Sequence, residues 1–269
     1  MCVNNFVFVP PAICGGPLTG WYAGRVSLVG LGDGAPINSW VDSSGYAGHG
    51  NRTLIQGTKN PGPGSQPGPV AKTFTRGLPS ARFDVIADPY DTLLTSDPIP
   101  PQALITNPLA NSYLLTNGWS MFVVCRPTFV NGDFAALSPN AMIGDYPEQG
   151  FYFLGFALLA GQTLAGLNLR AGAGPRVRVS LGRPVILMAR YDGAVARLAS
   201  SDGFGDAVTI FDNLGGGGAA MGVGSFRSTI SAHVNQYFGD VAEIITYGGF
   251  CSDPDAQNIM LSLRAVYGL

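Results

Sequence analysis

The amino-acid sequence predicts an all-β fold, a two-sheet antiparallel sandwich closed by one short C-terminal α-helix, and three observations lead there. Its 269 residues include 38 Gly, 20 Pro and 46% hydrophobic residues, the composition of many short strands joined by tight turns. Strand-length apolar runs bounded by Gly, Asp and Pro recur through the second half of the chain. Sustained helical periodicity occurs once, at the end. At 28.0 kDa the chain is long for one domain by average size, yet sandwiches often reach this length as single units, so one domain is expected.

Taken in order, residues 1–17 read as an apolar arm or edge strand ahead of a sandwich spanning 18–269. Such an arm either reaches a neighbouring subunit or packs across its own sheet. Residues 60–69 alternate Pro and Gly into a donor-poor loop, and 97–108 form a second Pro-rich connection. Residues 119–126 carry apolar side chains at successive positions, the pattern of a strand covered on both faces. Strands over 151–159 and 163–170 are predicted to join through a turn at Gly161-Gln162. Val177, Val179 and Leu181 alternate with Arg176, Arg178 and Ser180, one face buried and one wet. Residues 185–191 run into Asp192-Gly193, a strong hairpin signal, and the returning strand ends at Asp202-Gly203. A poly-glycine loop, 215–218, precedes a strand around 222–225.

The closing unit is the clearest. A strand over 238–247 leads to Ser252, placed to cap a helix by accepting from the Asp255 amide, with Pro254 in the first turn. Ala256, Ile259, Met260, Leu263, Val266 and Tyr267 recur at spacings of three and four, giving one apolar stripe. Gly268 supplies the stop.

Gly239, Asp240, Ala242, Glu243, Ile244, Ile245 and Tyr247, followed by Ser252, Asp253, Tyr267, Gly268 and Leu269, form a strand-and-helix block. Ahead of it stand Leu18-Thr19-Gly20-Trp21-Tyr22, then Trp40, Asp42, Ser44 and Gly45, then Gly77 with Pro79, Arg82, Phe83 and Asp84. The hairpin from Tyr191-Asp192-Gly193 to Leu198 completes the series. These blocks resemble, in order, those of laminin-G-like (pentraxin-type) domains of the concanavalin A-like lectin and glucanase superfamily, over roughly residues 18–269. The resemblance implies a jelly-roll sandwich. Trp40 is expected as a core plug, Asp42 as the cap of the Ser43-Ser44-Gly45 turn, and Phe83, Gly239, Asp240, Glu243 and Ser252 as further structural positions.

Charge is sparse: 15 basic and 17 acidic residues, 12% of the chain, with a net charge of −2. Nucleic acid is excluded as an expected partner, because it needs a basic face. All but Lys59 and Lys72 of the basic residues are Arg, the cation that interfaces tolerate better. A mean hydropathy of +0.22 adds to the expectation that part of the surface meets copies of this chain or other subunits. Cys2, Cys14, Cys125 and Cys251 match no metal spacing and read as small buried thiols, with a Cys2–Cys14 bridge as the alternative. No signal peptide or membrane-spanning segment is evident, so assembly in a cytosol without membrane insertion is expected.

Chemistry is thin. Glucanases of this fold place two Glu at positions two or four apart on one strand; here Glu148 and Glu243 are the only glutamates. Asp240, three residues before Glu243, is expected on the opposite face of its strand. His49 and His233 have no nucleophile signature beside them, and the glycine loop lacks the Lys-Ser/Thr of a phosphate cradle. No enzyme is therefore expected and no cofactor required. The resemblance allows calcium at the sandwich rim, for which Asp84, Asp88 and Asp91 are the candidates; turn-capping is the simpler role for that cluster. Tyr46, His49, Asn51, Tyr90 and Asp91 are the candidate contacts for a surface glycan.

Three functions follow in order of expectation. The first is a non-enzymatic virion structural protein, a bacteriophage capsid-decoration, head-fibre or tail module assembled in the host cytoplasm and touching other virion proteins. The second is a stand-alone carbohydrate-binding lectin module. The third is an Asp-dependent glycan hydrolase or lyase.

Overall fold

The computed structural model describes residues 8–11, 14–46, 53–56, 69–83, 104–105, 118–130, 140–146, 153–169, 172–209, 220–227 and 234–269. Two eight-stranded antiparallel sheets pack face to face, as the all-β reading requires, and one α-helix closes the chain.

The first sheet runs β14(Gly203–Thr209), β13(Val195–Ser200), β12(Val185–Tyr191), β7(Trp119–Phe129), β18(Phe238–Tyr247), β5(Pro79–Phe83) and β4(Val70–Thr73). β1(Leu18–Ala23) pairs with the C-terminal half of β18, while β5 pairs with its N-terminal half. The second sheet runs β11(Gly172–Arg178), β10(Gln162–Leu169), β9(Phe153–Leu159), β8(Asn140–Tyr146), β15(Ala220–Val223), β6(Leu104–Ile105), β3(Leu54–Gln56) and β2(Ser39–Trp40). A small pair, β16(Ser225–Arg227) and β17(Val234–Gln236), forms its own ladder against β8. A single helical turn, α1(Gly24–Ser27), follows β1, and α2(Asp253–Tyr267) ends the chain.

The two faces of the first sheet are both covered, which is why β7 is apolar at successive positions. Trp119, Met121, Val123 and Cys125 enter the core shared with the second sheet, together with Trp40, Phe83, Leu187, Leu198 and Ile244. Phe122 and Val124 point the other way, into a separate core beneath α2 that includes Phe8, Trp21, Ile186, Ile245, Ile259 and Leu263. Ser252 caps α2, its Oγ accepting from the Asp255 N–H at 3.3 Å, and Gly268 ends it in the left-handed conformation at φ 70°. Among the described residues no helix is long and apolar enough to cross a membrane.

Several expectations need correction. The β9–β10 turn is Ala160-Gly161, both at positive φ, one residue earlier than expected. Leu181 is not buried: β11 stops at Arg178 and Leu181 sits in the following turn, 42% exposed. The 97–108 connection contributes the two-residue strand β6. Cys14 and Cys251 are not thiols and Cys14 does not pair with Cys2; they form a disulfide across 237 residues. Pairing of β1 with β18 brings these two distant segments together, a relationship invisible in local spacing. Cys125 is a free, buried thiol. The described part of the arm packs on its own domain, with Phe8 in the core beneath α2 and its carbonyl accepting from Arg25 at 2.8 Å.

Candidate functional site

Of the candidate glycan contacts, Tyr46 lies among the described residues; His49, Asn51, Tyr90 and Asp91 lie outside them, as do the calcium candidates Asp84, Asp88 and Asp91. Tyr46 belongs to a rigid turn at the end of β2. Trp40, fully buried, sits edge-on to Tyr22 at 6.3 Å between ring centres and anchors the turn from below. One Asp42 oxygen accepts from the Trp21 N–H and the Ser44 N–H, each at 2.9 Å, so the carboxylate ties the turn to β1 and caps it. Gly45 takes φ 68°, and the Tyr46 N–H donates to Ser44 Oγ at 3.2 Å. The half-buried Tyr46 thus ends a turn that follows β2, the edge strand of the second sheet. A tyrosine side chain carries a flat apolar face and a hydroxyl, the two features that suit a sugar ring.

The acidic residues of β18 are arranged differently from expectation. Asp240 and Glu243 were expected on opposite faces; both lie on the face covered by α2. β18 carries a bulge at Ala242: Val241 faces Cys125 of β7, and Glu243 faces Val124. The extra residue resets the alternation, so Glu243 joins Asp240 instead of opposing it.

Each carboxylate is fully buried and answered by arginine. Asp240 pairs with Arg82 and Arg126, its direct cross-strand neighbours on β5 and β7. Arg126 in turn lies 5.1 Å from the Phe74 ring centre. Glu243 accepts from Trp21 Nε1 at 2.7 Å, Arg25 Nε at 3.0 Å and the Tyr267 hydroxyl at 2.8 Å. Burial, and then the Glu243 charge, push the Tyr267 hydroxyl well above the ordinary tyrosine range, so it stays a donor. Glu243 therefore joins β1, α1, β18 and the end of α2 through one carboxylate. Such an arrangement is chemically closed, because donors already occupy the oxygens that would attack or protonate a substrate.

Sequence reasoning placed Asp240 and Glu243 as structural positions but missed their partners, Arg25, Arg82 and Arg126. The signal available was the near-absence of Lys, which leaves Arg as the only cation able to serve buried carboxylates. Among the described residues no group of three or more His, Cys, Asp or Glu is placed to hold a metal.

No protein-family model matches the chain, and no curated protein sequence is significantly similar. Solved structures share the fold. Domain 4 of AbnA, a GH43 extracellular arabinanase from Geobacillus stearothermophilus solved with arabinotriose, aligns over 91% of this chain and 99% of its own at TM-score 0.58 and 12% identity. A GH54 α-L-arabinofuranosidase mutant aligns at TM-score 0.60 and 12% identity, over 86% of this chain and 51% of its own. The receptor-binding domain of botulinum neurotoxin type G aligns at 0.52 and 9%, over 91% and 51%. This chain thus spans about half the length of the latter two and nearly all of the first. It shares the β-sandwich fold of these three structures.

Proposed function

We propose that this domain is a non-catalytic glycan-binding module. The supporting observation is the alignment of nearly the whole chain with a complete domain whose structure was solved with arabinotriose. The chemistry agrees with binding over turnover: the two acids of β18 are consumed in buried ion pairs with Arg25, Arg82 and Arg126. In this reading Tyr46 is the described candidate contact for a sugar ring.

Isothermal titration with arabinotriose and with a panel of immobilised glycans tests this reading. Saturable binding, weakened at least about tenfold (~1.4 kcal/mol) in Tyr46→Ala, is expected. Absence of binding across the panel overturns it. Release of reducing ends from any of the same polysaccharides overturns the non-catalytic part.

A structural role within an assembly, of which a virion is the case foreseen from the sequence, is a second reading. The exposed aliphatic side chains Val9, Val26, Val29 and Val41 favour burial against another subunit. Copurification with intact particles supports this reading, and a stable monomer at nanomolar concentration removes it.

A further inference from the structure

We propose that this chain is a substrate of oxidative folding, in which thiol–disulfide exchange in an oxidising compartment installs the Cys14–Cys251 bond as a permanent staple.

The two segments also meet through contacts other than the bond. Residues 14–17 run against 248–251 in backbone contact, with the Gly248 N–H donating to the Pro17 carbonyl at 2.9 Å. A Cβ on Gly16 would stand 2.6 Å from the Gly248 oxygen, and one on Gly249 would stand 2.7 Å from the Gly15 carbonyl carbon. Only glycine permits this approach. Cys251 is fixed from both sides: its N–H donates to Ser120 Oγ at 2.8 Å, and its carbonyl accepts from Arg190 at 2.7 Å. The two sulfurs are therefore held within bonding reach by contacts that do not involve them.

Burial then makes the bond permanent. Both cysteines are fully buried in the core beneath α2, and exchange requires a thiolate to reach a disulfide sulfur. The described free thiol, Cys125, lies in the other core, across the sheet from the bond. Its burial also raises its pKa and keeps it protonated. A reducing cytosol would leave Cys14 and Cys251 as thiols, so the bond fits a chain that folds where thiols are oxidised.

The step balances as an exchange. One cysteine thiolate attacks a sulfur of an external disulfide, from a dithiol oxidoreductase or a small-molecule disulfide, and expels one thiolate. The second cysteine thiolate then displaces the other, so the protein loses two electrons and two protons and the oxidant leaves as two thiols.

The test uses the wild-type chain purified under alkylating conditions from cells that export it to an oxidising compartment and from cells that retain it in the cytosol. In denaturant without reductant, the Cys14 and Cys251 peptides of the exported protein should escape thiol labelling and appear as one cross-linked peptide. The folded protein should keep that cross-link in millimolar reductant. The Cys14→Ser/Cys251→Ser variant should melt about 10–20 °C lower. Full labelling of both peptides in exported protein, rapid reduction of the folded form, or a double variant melting within about 3 °C of wild type would each overturn the proposal.

Discussion

The two faces of the first sheet solve the same packing problem with different chemistry. The face toward the second sheet is almost wholly apolar, with Val123, Leu187, Leu198 and Ile244 in one continuous core. The face beneath α2 is apolar as well but carries two buried carboxylates, their arginines and a disulfide. A sheet meeting a sheet is held in register by many strand side chains. A single helix and a chain terminus lying on a sheet have many near-equivalent placements, and Glu243, bonded to Trp21, Arg25 and Tyr267, selects one of them. Buried ion pairs contribute little net stability against apolar replacements of equal size, while a broken pair is costly. Apolar burial thus carries the inter-sheet face, while beneath α2 the ion pairs set position and the apolar residues and the disulfide add stability.

That contrast can be broken at Asp240. In Asp240→Ala the guanidinium groups of Arg82 and Arg126 lose their shared buried carboxylate, and the loss is expected at about 3–5 kcal/mol, read from the urea midpoint. The stability face is tested by Leu187→Ala, fully buried in the inter-sheet core, at about 2–4 kcal/mol. The denaturant slope should stay unchanged, because only a cavity is made.

The positional role is sharpened by exchanging Arg25 and Glu243 together for Met. Stability should fall by about 2–4 kcal/mol, because the buried Trp21 Nε1 and Tyr267 hydroxyl lose their acceptor, while hydrogen-exchange protection across α2 and the 8–17 segment falls selectively. A single Glu243→Met, leaving Arg25 unpaired, should cost more than the double variant. Ser252→Ala removes the cap of α2 and should cost about 1 kcal/mol, visible as fraying of the first helical turn.

The smallest expected effect lies at the surface. Hydrogen bonds from Lys72 and then Thr73 hold the exposed Asp33 carboxyl at about 2, below its ordinary 3.8. Because the folded pKa is the lower one, the unfolded state binds more protons between these values. Asp33 thus contributes stability above about pH 4 that is lost as pH falls toward 2. Asp33→Asn should flatten that part of the urea-midpoint profile and lower the midpoint above about pH 5 by a small, pH-independent amount.

The helix was legible down to its ends, because a cap, a first-turn proline, an apolar stripe and a glycine stop are all local signals. The hairpin at Asp192 was legible for the same reason: its carboxylate accepts from the Ala194 and Val195 N–H groups within its own turn. The facing of Glu243 was not legible. Alternation along a strand gives the side of a residue only where pairing is regular, and the bulge at Ala242 is set by the partner strand β7. The turn that carries Tyr46 was legible from Trp40, Asp42, Ser44 and Gly45. What holds it, Asp42 bridging to β1, depends on a contact across 21 residues.

The sequence by itself determined the class of fold, the short strands and their turns, and the amphipathic closing helix, since hydrophobic period and turn chemistry act over a few neighbouring residues. Only the tertiary structure decided which cysteines join, which arginine answers which carboxylate, and which face Glu243 occupies. Those outcomes depend on strands more than a hundred residues apart being laid side by side, and sheet pairing is specified by the packing of the whole core, not by any local pattern.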